Sequence, residues 1–574
     1  MDVFNNPFVA NMMMNTGRGF NRQPTEAQRE FARNFREGKI QPIDPTIPLY
    51  ILSSIAILLF TVVGSNLMQQ FLAPRDPSHP PVVLHYFPWF GSAYSYGTDP
   101  YKFLFKCRAK YGDVFTFIMF GRKMTVALGP KGNNLSLGGK VSHVSAEDAY
   151  THLTTPVFGK GVVYDCPNEM LMQQKKFIKH GLTPQAFQTY APLIWQETHQ
   201  FFEQEKGFNV YPGPKSYEAI KFFSELIILT ASRTLQGKEV RAGLTSSAAK
   251  HFEHLDKGFT PINFLFPNLP LPSYRKRDKA QKAMSDFYLE IMRKRREGES
   301  DVDEHDMIAA LTGNEYKDGT PLTDRDVAHM MIAILMAGQH TSSATSSWTL
   351  LHLAQKPLIF KALFEEHRDL FQNEDGTWED VTYESTKEMP LMAAVIRETL
   401  RMHAPIHSIY RKVLQDLEVP PALAAGGNGS RPYVVPKGHF VVAAPGVSAM
   451  DPKVWPDADK WDPFRWLEDK GMAQEALDSY SGATSEQIDY GFGQVSKGTE
   501  SPYMPFGAGR HRCVGEQFAY LQLSVIMSYI VRNYDIQLLG AFPQTNYNTM
   551  IVLPLNGYVT FKKRGQSKWI LSTK

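Results

Sequence analysis

This 574-residue sequence is poor in cysteine: Cys107, Cys166 and Cys513 are all it has. Three thiols exclude a disulfide framework, a four-cysteine iron–sulfur cluster and a zinc ribbon. Nothing pairs Cys107 with Cys166, and a reducing compartment is the simpler setting for both. An excess of one charge is missing too. The formal net charge is +3, and the densest basic run, Arg293-Lys294-Arg295-Arg296, ends a helical stretch, where cations suit the helix dipole. That removes the electrostatic basis for binding nucleic acid. There are no internal repeats, and no linker divides the chain after residue 75, although its length alone predicts three or four domains. With 43% apolar and 21% charged residues, the composition is that of a globular protein.

One stretch lacks charge altogether, from Pro45 to Pro74. Within it, Leu49 to Met68 is twenty residues dominated by Ile, Leu, Val, Ala and Phe, which fits one bilayer crossing. A buried core helix is the alternative; the length and the distance from Met1 argue against a cleaved signal peptide. Arg29, Arg33, Arg36 and Lys39 precede the segment and only Arg75 follows closely, so the positive-inside rule alone keeps the N-terminal flank cytosolic. Residues 1–46 are polar, with a Met12-Met13-Met14 run, and little fixed structure is expected there. Further on, a strand-like region spans Val114 to Leu128, and long amphipathic helical runs lie near 216–236, 275–297 and 324–355. Residues 409–445 read as short strands and turns, and 468–500, rich in Gly, Ser and Asp, as an inserted surface loop. The pattern is mainly α with small β-sheets.

Cys513 stands in the run Pro505-Phe506-Gly507-Ala508-Gly509-Arg510-His511-Arg512-Cys513-Val514-Gly515, followed at once by a hydrophobic helix pattern. A thiolate forms more easily beside Arg and His and at a helix N-terminus. The glycines let the backbone pass close to a large flat ligand. A buried structural cysteine before a helix is the plainer alternative. The spacing Phe-x-x-Gly-x-His-x-Cys-x-Gly, however, resembles the haem-thiolate loop of the cytochrome P-450 superfamily. That resemblance implies haem b, with Cys513 as the iron ligand and Phe506 and Gly507 beside the ring. A thiolate ligand favours O–O cleavage, so the implied chemistry is O2 activation.

Thr323-Asp324-Arg325-Asp326 has the form of a capping box. The apolar run Val327 to Ala337 after it predicts a central buried helix. Ala337 and Thr341, four apart, share a face; small residues there leave room for O2, and the Thr341 hydroxyl can donate to it. The alternative is close packing at Gly338, with Thr341 bonded to a backbone carbonyl. Most of the superfamily carries an acid directly before this threonine; here it is His340. That change is similar to the sterol 14-alpha-demethylase family, and a histidine can still pass protons. The family implies a salt-bridged acid as its partner, which falls on Asp256.

The superfamily's Glu-x-x-Arg motif matches Glu398 and Arg401, and implies a buried triad with Arg465 rather than an exposed pair of little worth. Trp461 stands where Phe is usual, and Pro456 sits two residues early. By family position Arg411 and His511, together with Tyr150, Tyr164 and Lys175, would meet the haem propionates. Three segments carry the match to the sterol family: Gly161 to Pro167, Gly338 to Ser343 and Arg401 to Ile409. The resemblance covers residues 80–565 or so, and the 468–500 stretch resembles an insertion of fungal members.

It implies three oxidations of a sterol 14-alpha methyl, to alcohol, aldehyde and formate, each using one O2 and two electrons. Phe158, Val163, Tyr164, Phe259, Ala337, Ile406 and Met550 would line the pocket, with His407 and Ser408 giving polar contacts. No flavin domain is expected within the chain, so electrons would come from an NADPH-cytochrome reductase. Arg510, Arg512 and Lys176 either attract that partner or face inward. The resemblance further implies azole-type inhibitors, and a single-pass endoplasmic reticulum protein. Its layout would be a tail at 1–46, an anchor at 47–72 and a cytosolic catalytic domain at 73–574. Asn134 and Asn428 lie in sequons; glycosylation of either would make the domain luminal. Two other readings remain: a hydroxylase of another lipid or xenobiotic, against which His340 and the Tyr164 segment argue, and a non-catalytic haem sensor, against which Thr341 and the Glu398/Arg401 pair argue.

Overall fold

The structure is a computed structural model that describes residues 46–74, 76–243, 246–299, 306–423, 432–481 and 498–565, and a few between 25 and 37. The expected tail over residues 1–46 and Asn428 lie outside the described residues almost entirely. The chain forms two compact units, residues 1–71 and 72–574. The first holds all but the last residue of the helix Thr46–Leu72, whose stretch Tyr50–Leu72 is long and apolar enough to cross a membrane and is almost wholly exposed.

In the larger unit, Val114–Met119 and Arg122–Ala127 pair antiparallel in the register Met119↔Arg122. Phe120 and Gly121 join them at φ +50° and +73°, the left-handed pair that a two-residue hairpin requires. Arg122–Ala127 continues in parallel with Phe440–Ala443, then Ile409–Val413 and Val144–Ser145 complete a five-stranded sheet. Leu417–Val419 and Tyr433–Val435 pair separately. A three-stranded sheet joins Lys215–Glu218, Tyr558–Lys563 and Tyr534–Leu539.

Gln544–Asn546 and Leu553–Leu555 form one more antiparallel pair, and helices make up most of the remaining described residues. The central one is Asp324–Gln355, and its capping box is present: the Thr323 hydroxyl takes the Asp326 N–H while the Asp326 carboxylate takes the Thr323 N–H. The run expected near 275–297 is Pro272–Arg296. The run near 216–236 is divided: a strand, then the helix Ala219–Ala231, then a π-helical turn Ser232–Gln236. The 468–500 stretch needs correction as a surface loop. It contains the helix Met472–Ser481, with Ala473, Ala476 and Tyr480 buried. Its residues 482–497 lie outside the described residues.

Candidate active site

The central helix is buried on both sides of its midpoint, over Val327–Ala333 and Ser342–Leu353. Between these, Ala337 is exposed and Gly338 to Thr341 are half-buried. An accessible step inside an otherwise buried helix faces an internal space. A Cβ placed on Gly338 would meet no atom within 4 Å. Here Thr341 Oγ1 donates to the Ala337 carbonyl at 2.8 Å. The hydroxyl thus makes the backbone bond named above as its alternative, and its oxygen keeps lone pairs as an acceptor.

His340 Nε2 lies 3.1 Å from Asp256 Oδ1. The atoms are too poorly aligned for a hydrogen bond, so the contact is electrostatic and depends on the histidine being charged. Asp256 ends the helix Ser246–Asp256 with its side chain 51% exposed. The pair therefore places a half-exposed carboxylate beside the accessible step of the central helix.

The Cys513 loop is shaped by its own backbone. The Cys513 N–H donates to the Phe506 carbonyl at 3.0 Å, and the Arg512 N–H to the Gly509 carbonyl at 3.0 Å. Gly507 and Gly509 hold φ near +70°, which other residues adopt only under strain. A Cβ at Gly507 would meet only Ile409 Cδ1, at 3.8 Å, whereas one at Gly509 would strike the Leu137 carbonyl oxygen. Gly509 is needed for packing, and Gly507 leaves clear space. Cys513 is exposed, yet burial pushes its thiol up, against the pull of the Gly515 N–H, Lys175 and Arg512. Exposure inside enclosing protein again means an interior surface. A thiolate there calls for a cationic partner at the sulfur.

Next to this loop lies a concentration of basic side chains. Arg411 is 2% exposed; its Nη1 donates to the Tyr410 carbonyl, and no carboxylate pairs with it among the described residues. Lys175 Nζ donates to the carbonyls of Arg510 (3.0 Å) and Arg512 (2.8 Å), and burial pulls its pKa down to about 7. His511 is held neutral by burial and by Arg411, Lys175 and Arg510 nearby, and its Nε2 is buried without a hydrogen-bond partner. Tyr164 packs at 5.9 Å from His511 and stacks on Tyr150 at 5.3 Å. Burial raises both phenols, with Arg411 opposing. The Tyr150 hydroxyl accepts the Tyr410 N–H at 2.9 Å. All five residues expected at the propionates are thus brought together.

The pocket residues are more scattered. Phe158 and Phe259 pack at 5.3 Å, and Met550 lies against the same hydrophobic cluster as Phe259. Val163 has φ +57°, and its N–H donates to Gln174 Oε1. Ile406 is 45% exposed. His407 and Ser408 bond each other at 2.8 Å, and burial lowers His407 to about 4. Part of their expected polar contact is therefore spent internally.

Beneath the loop, Glu398 and Arg401 are both fully buried. Glu398 Oε1 accepts from Arg401 Nη2 (2.8 Å), the Asp462 N–H (3.0 Å) and Arg465 Nε (3.2 Å); Oε2 accepts from Arg401 Nε and Trp466 Nε1, both at 2.9 Å. Trp461, in place of the usual Phe, donates Nε1 to Thr399 at 3.2 Å. Of the loop arginines, Arg510 takes the inward alternative: it is 3% exposed and donates to the Gly139 and Val144 carbonyls. Arg512 is paired with Glu516. Asn134 of the first sequon donates to Glu500. Sequence reasoning passed over Asp165, which accepts from the Gly161 N–H and Thr155 and so ties the Gly161–Pro167 segment into a loop. It also passed over the Tyr96–Tyr410 hydroxyl pair at 2.8 Å.

A profile of the Cytochrome P450 family matches residues 80–561. The chain is 52% identical to a lanosterol 14-alpha demethylase of Mycosarcoma maydis, across 87% of this chain and 91% of that protein. It is 46% identical to an eburicol 14-alpha-demethylase of Uncinula necator (88% and 94%), and 44% identical to a lanosterol 14-alpha demethylase of Candida tropicalis (92% and 98%). Among solved structures, a retinoic-acid-bound cyanobacterial CYP120A1 superposes with a TM-score of 0.67 at 20% identity, covering 84% of this chain and 99% of that one; this likeness speaks for the fold. With a profile spanning most of the larger unit and relatives this similar over nearly their whole length, the chain belongs to the cytochrome P450 family.

Proposed function

We propose that this chain is a membrane-anchored sterol 14-alpha-demethylase, removing the 14-alpha methyl of a lanosterol-like sterol as formate. The relatives bearing that activity in their names support it. The observation that carries it is His340, which stands at the accessible step of the central helix 3.1 Å from Asp256.

The residues present fit the family's haem. A basic set of buried Arg411 with half-buried Lys175 and His511, whose Nε2 has no hydrogen-bond partner, suits two anionic propionates. The clear space at Gly507 and Gly338 suits a flat ring between loop and helix. Cys513 would hold the iron, with Tyr150 and Tyr164 at the propionate edge. When bound, haem supplies O2 activation, driven by electrons from an NADPH-cytochrome reductase. The chain's own part is positioning and proton supply. Phe158, Val163, Phe259, Ala337, Ile406 and Met550 wall a rigid hydrocarbon ligand and aim one methyl. Thr341, its proton given to the Ala337 carbonyl, offers a hydrogen-bond acceptor at the reaction space, and His340 draws protons from solvent through Asp256. Glu398, Arg401 and Arg465 hold the loop's support.

Residues 47–72 serve as the single anchor in the endoplasmic reticulum, with 73–574 as the cytosolic catalytic domain and azole-type compounds as inhibitors. Exposed Tyr86, Phe87, Trp89 and Phe90, which follow the anchor in the sequence, support a body that rests against lipid.

The test is reconstituted turnover with NADPH reductase and a 14-methylated sterol, quantifying formate and demethylated sterol. Both products are expected. A haem-loaded protein with a thiolate spectrum and neither product would overturn the sterol assignment.

A further inference from the structure

The helix Met472–Ser481 does more than decorate the surface. Its buried Tyr480 meets the Cys513 loop at both ends. The Tyr480 hydroxyl donates to the Gly507 carbonyl at 3.2 Å, and its ring lies 3.7 Å from the Arg512 guanidinium. Arg512 Nη1 donates to the Tyr480 carbonyl at 3.0 Å, while Nε and Nη2 form a fork on Glu516 at 2.9 and 3.0 Å. The guanidinium directly preceding Cys513 is thereby fixed on three sides: a carboxylate, a carbonyl and an aromatic face. Such an arrangement leaves Arg512 one rotamer and one position for its charge.

The helix is itself anchored. Ser501 Oγ donates to the Ala476 carbonyl at 2.8 Å and accepts the Tyr503 N–H at 3.0 Å. Tyr503 packs on Trp466 at 4.7 Å, and Trp466 donates to Glu398. Gly498, at φ +88°, passes so close that a Cβ would strike the Tyr480 backbone at 2.8 Å. A continuous packed path therefore runs from the buried carboxylate through Trp466, Tyr503 and Tyr480 to Arg512.

We propose that Tyr480 is a positioning residue for the Cys513 ligand: by holding Arg512 against Glu516 and tethering Gly507, it keeps the loop in the form that presents a thiolate. This rests on Cys513 being the haem ligand, as read above. Its effect is on the persistence of thiolate ligation rather than on sterol recognition.

The test uses full-length, haem-loaded protein and follows the ferrous carbon-monoxide band, which distinguishes thiolate from thiol ligation, as it decays. Tyr480→Ala is expected to speed loss of the thiolate band about tenfold, the factor of one charge-assisted contact. Tyr480→Phe keeps the ring over Arg512 and gives up only the Gly507 bond, so about threefold is expected. Arg512→Lys, which keeps the charge and loses the fork, should match Tyr480→Ala. The Tyr480→Ala/Arg512→Lys double variant should decay about threefold faster than Arg512→Lys, the share of the Gly507 bond alone, and well short of the product of the two single effects. A double variant showing the product of the two effects, or a Tyr480→Ala protein with the wild-type lifetime, overturns the proposal. If Tyr480→Ala fails to fold, Tyr480→Phe and Arg512→Lys decide singly: a wild-type lifetime in either overturns the proposal. Cys513→Ala is the control: retention of the thiolate band there would refute the ligand reading itself, separately from the role of Tyr480.

Discussion

Replacing Glu398 by glutamine changes one atom in a fully buried site. Oε1 accepts three hydrogen bonds and Oε2 two. The amide nitrogen does least harm at the Oε2 position, where it still opposes two donors, Arg401 Nε and Trp466 Nε1. Each buried donor left facing a donor costs about 1–3 kcal/mol. The charge is lost as well, stranding Arg401 at 0% exposure. Three carbonyls, of Ala449, Ala458 and Lys460, still take its Nη atoms, so the total should fall at about 3–5 kcal/mol, the range for breaking a buried ion pair. That is a large share of the roughly 5–15 kcal/mol that holds a typical domain folded. The damage should reach the ligand loop through Trp466 and Tyr503. Denaturant midpoint and haem-to-protein ratio of purified Glu398→Gln test this, and both should drop. The exposed Lys361–Glu365 pair is the comparison: Lys361→Gln should move neither. A Glu398→Gln protein that loses less than about 1 kcal/mol and retains full haem would refute the account of the buried carboxylate.

Gly338→Ala adds a methyl to open space in a helix, so stability should rise by about 0.5–1 kcal/mol while sterol turnover falls about tenfold as the methyl enters the reaction space; denaturation and turnover of one preparation check both. Asp256→Asn should lower turnover about a hundredfold with haem content and sterol binding unchanged, and a wild-type rate would remove the proposed relay. His367 predicts an acid weakness. Its Nδ1 donates to the Leu363 carbonyl, so Nε2 accepts from Ser528 and the ring is neutral. Burial holds its pKa at about 4, below the unfolded value of about 6.5. The unfolded chain binds more protons between those values, so stability falls as pH drops from about 6.5 to about 4, by up to about 1.4 kcal/mol per unit for this group. His367→Gln should flatten that part of an unfolding-versus-pH curve.

What could be read from sequence was whatever is encoded locally. The central helix announces its start by a threonine and an aspartate three apart, and the hairpin at 114–127 has a two-residue turn; neither depends on the rest of the chain. The thiolate loop and the Glu398/Arg401 pair are equally compact, since a sharp backbone path or a buried ion pair tolerates few residue types. The helix Met472–Ser481 escaped because its buried stripe is Ala473, Ala476 and Tyr480 in a Gly/Ser/Asp-rich stretch: the helical spacing is there, but two of its three members are too small to stand out.

Arg510 and Arg512 show where local reading ends. Two residues apart in one cationic run, they have the same intrinsic chemistry, and sequence left both facing either a partner or the interior. Their fates are set by distant segments: the carbonyls of Gly139 and Val144 draw Arg510 inward, and the carbonyl and ring of Tyr480 fix Arg512. A buried guanidinium needs acceptors to offset its lost hydration, and those acceptors are backbone carbonyls, which every residue carries and no motif marks. The surface that meets an electron donor therefore cannot be read by counting the loop's arginines. Arg510 is committed to the interior, and Arg512 is neutralised by Glu516 at its back. Attraction for an acidic partner must come from other cations.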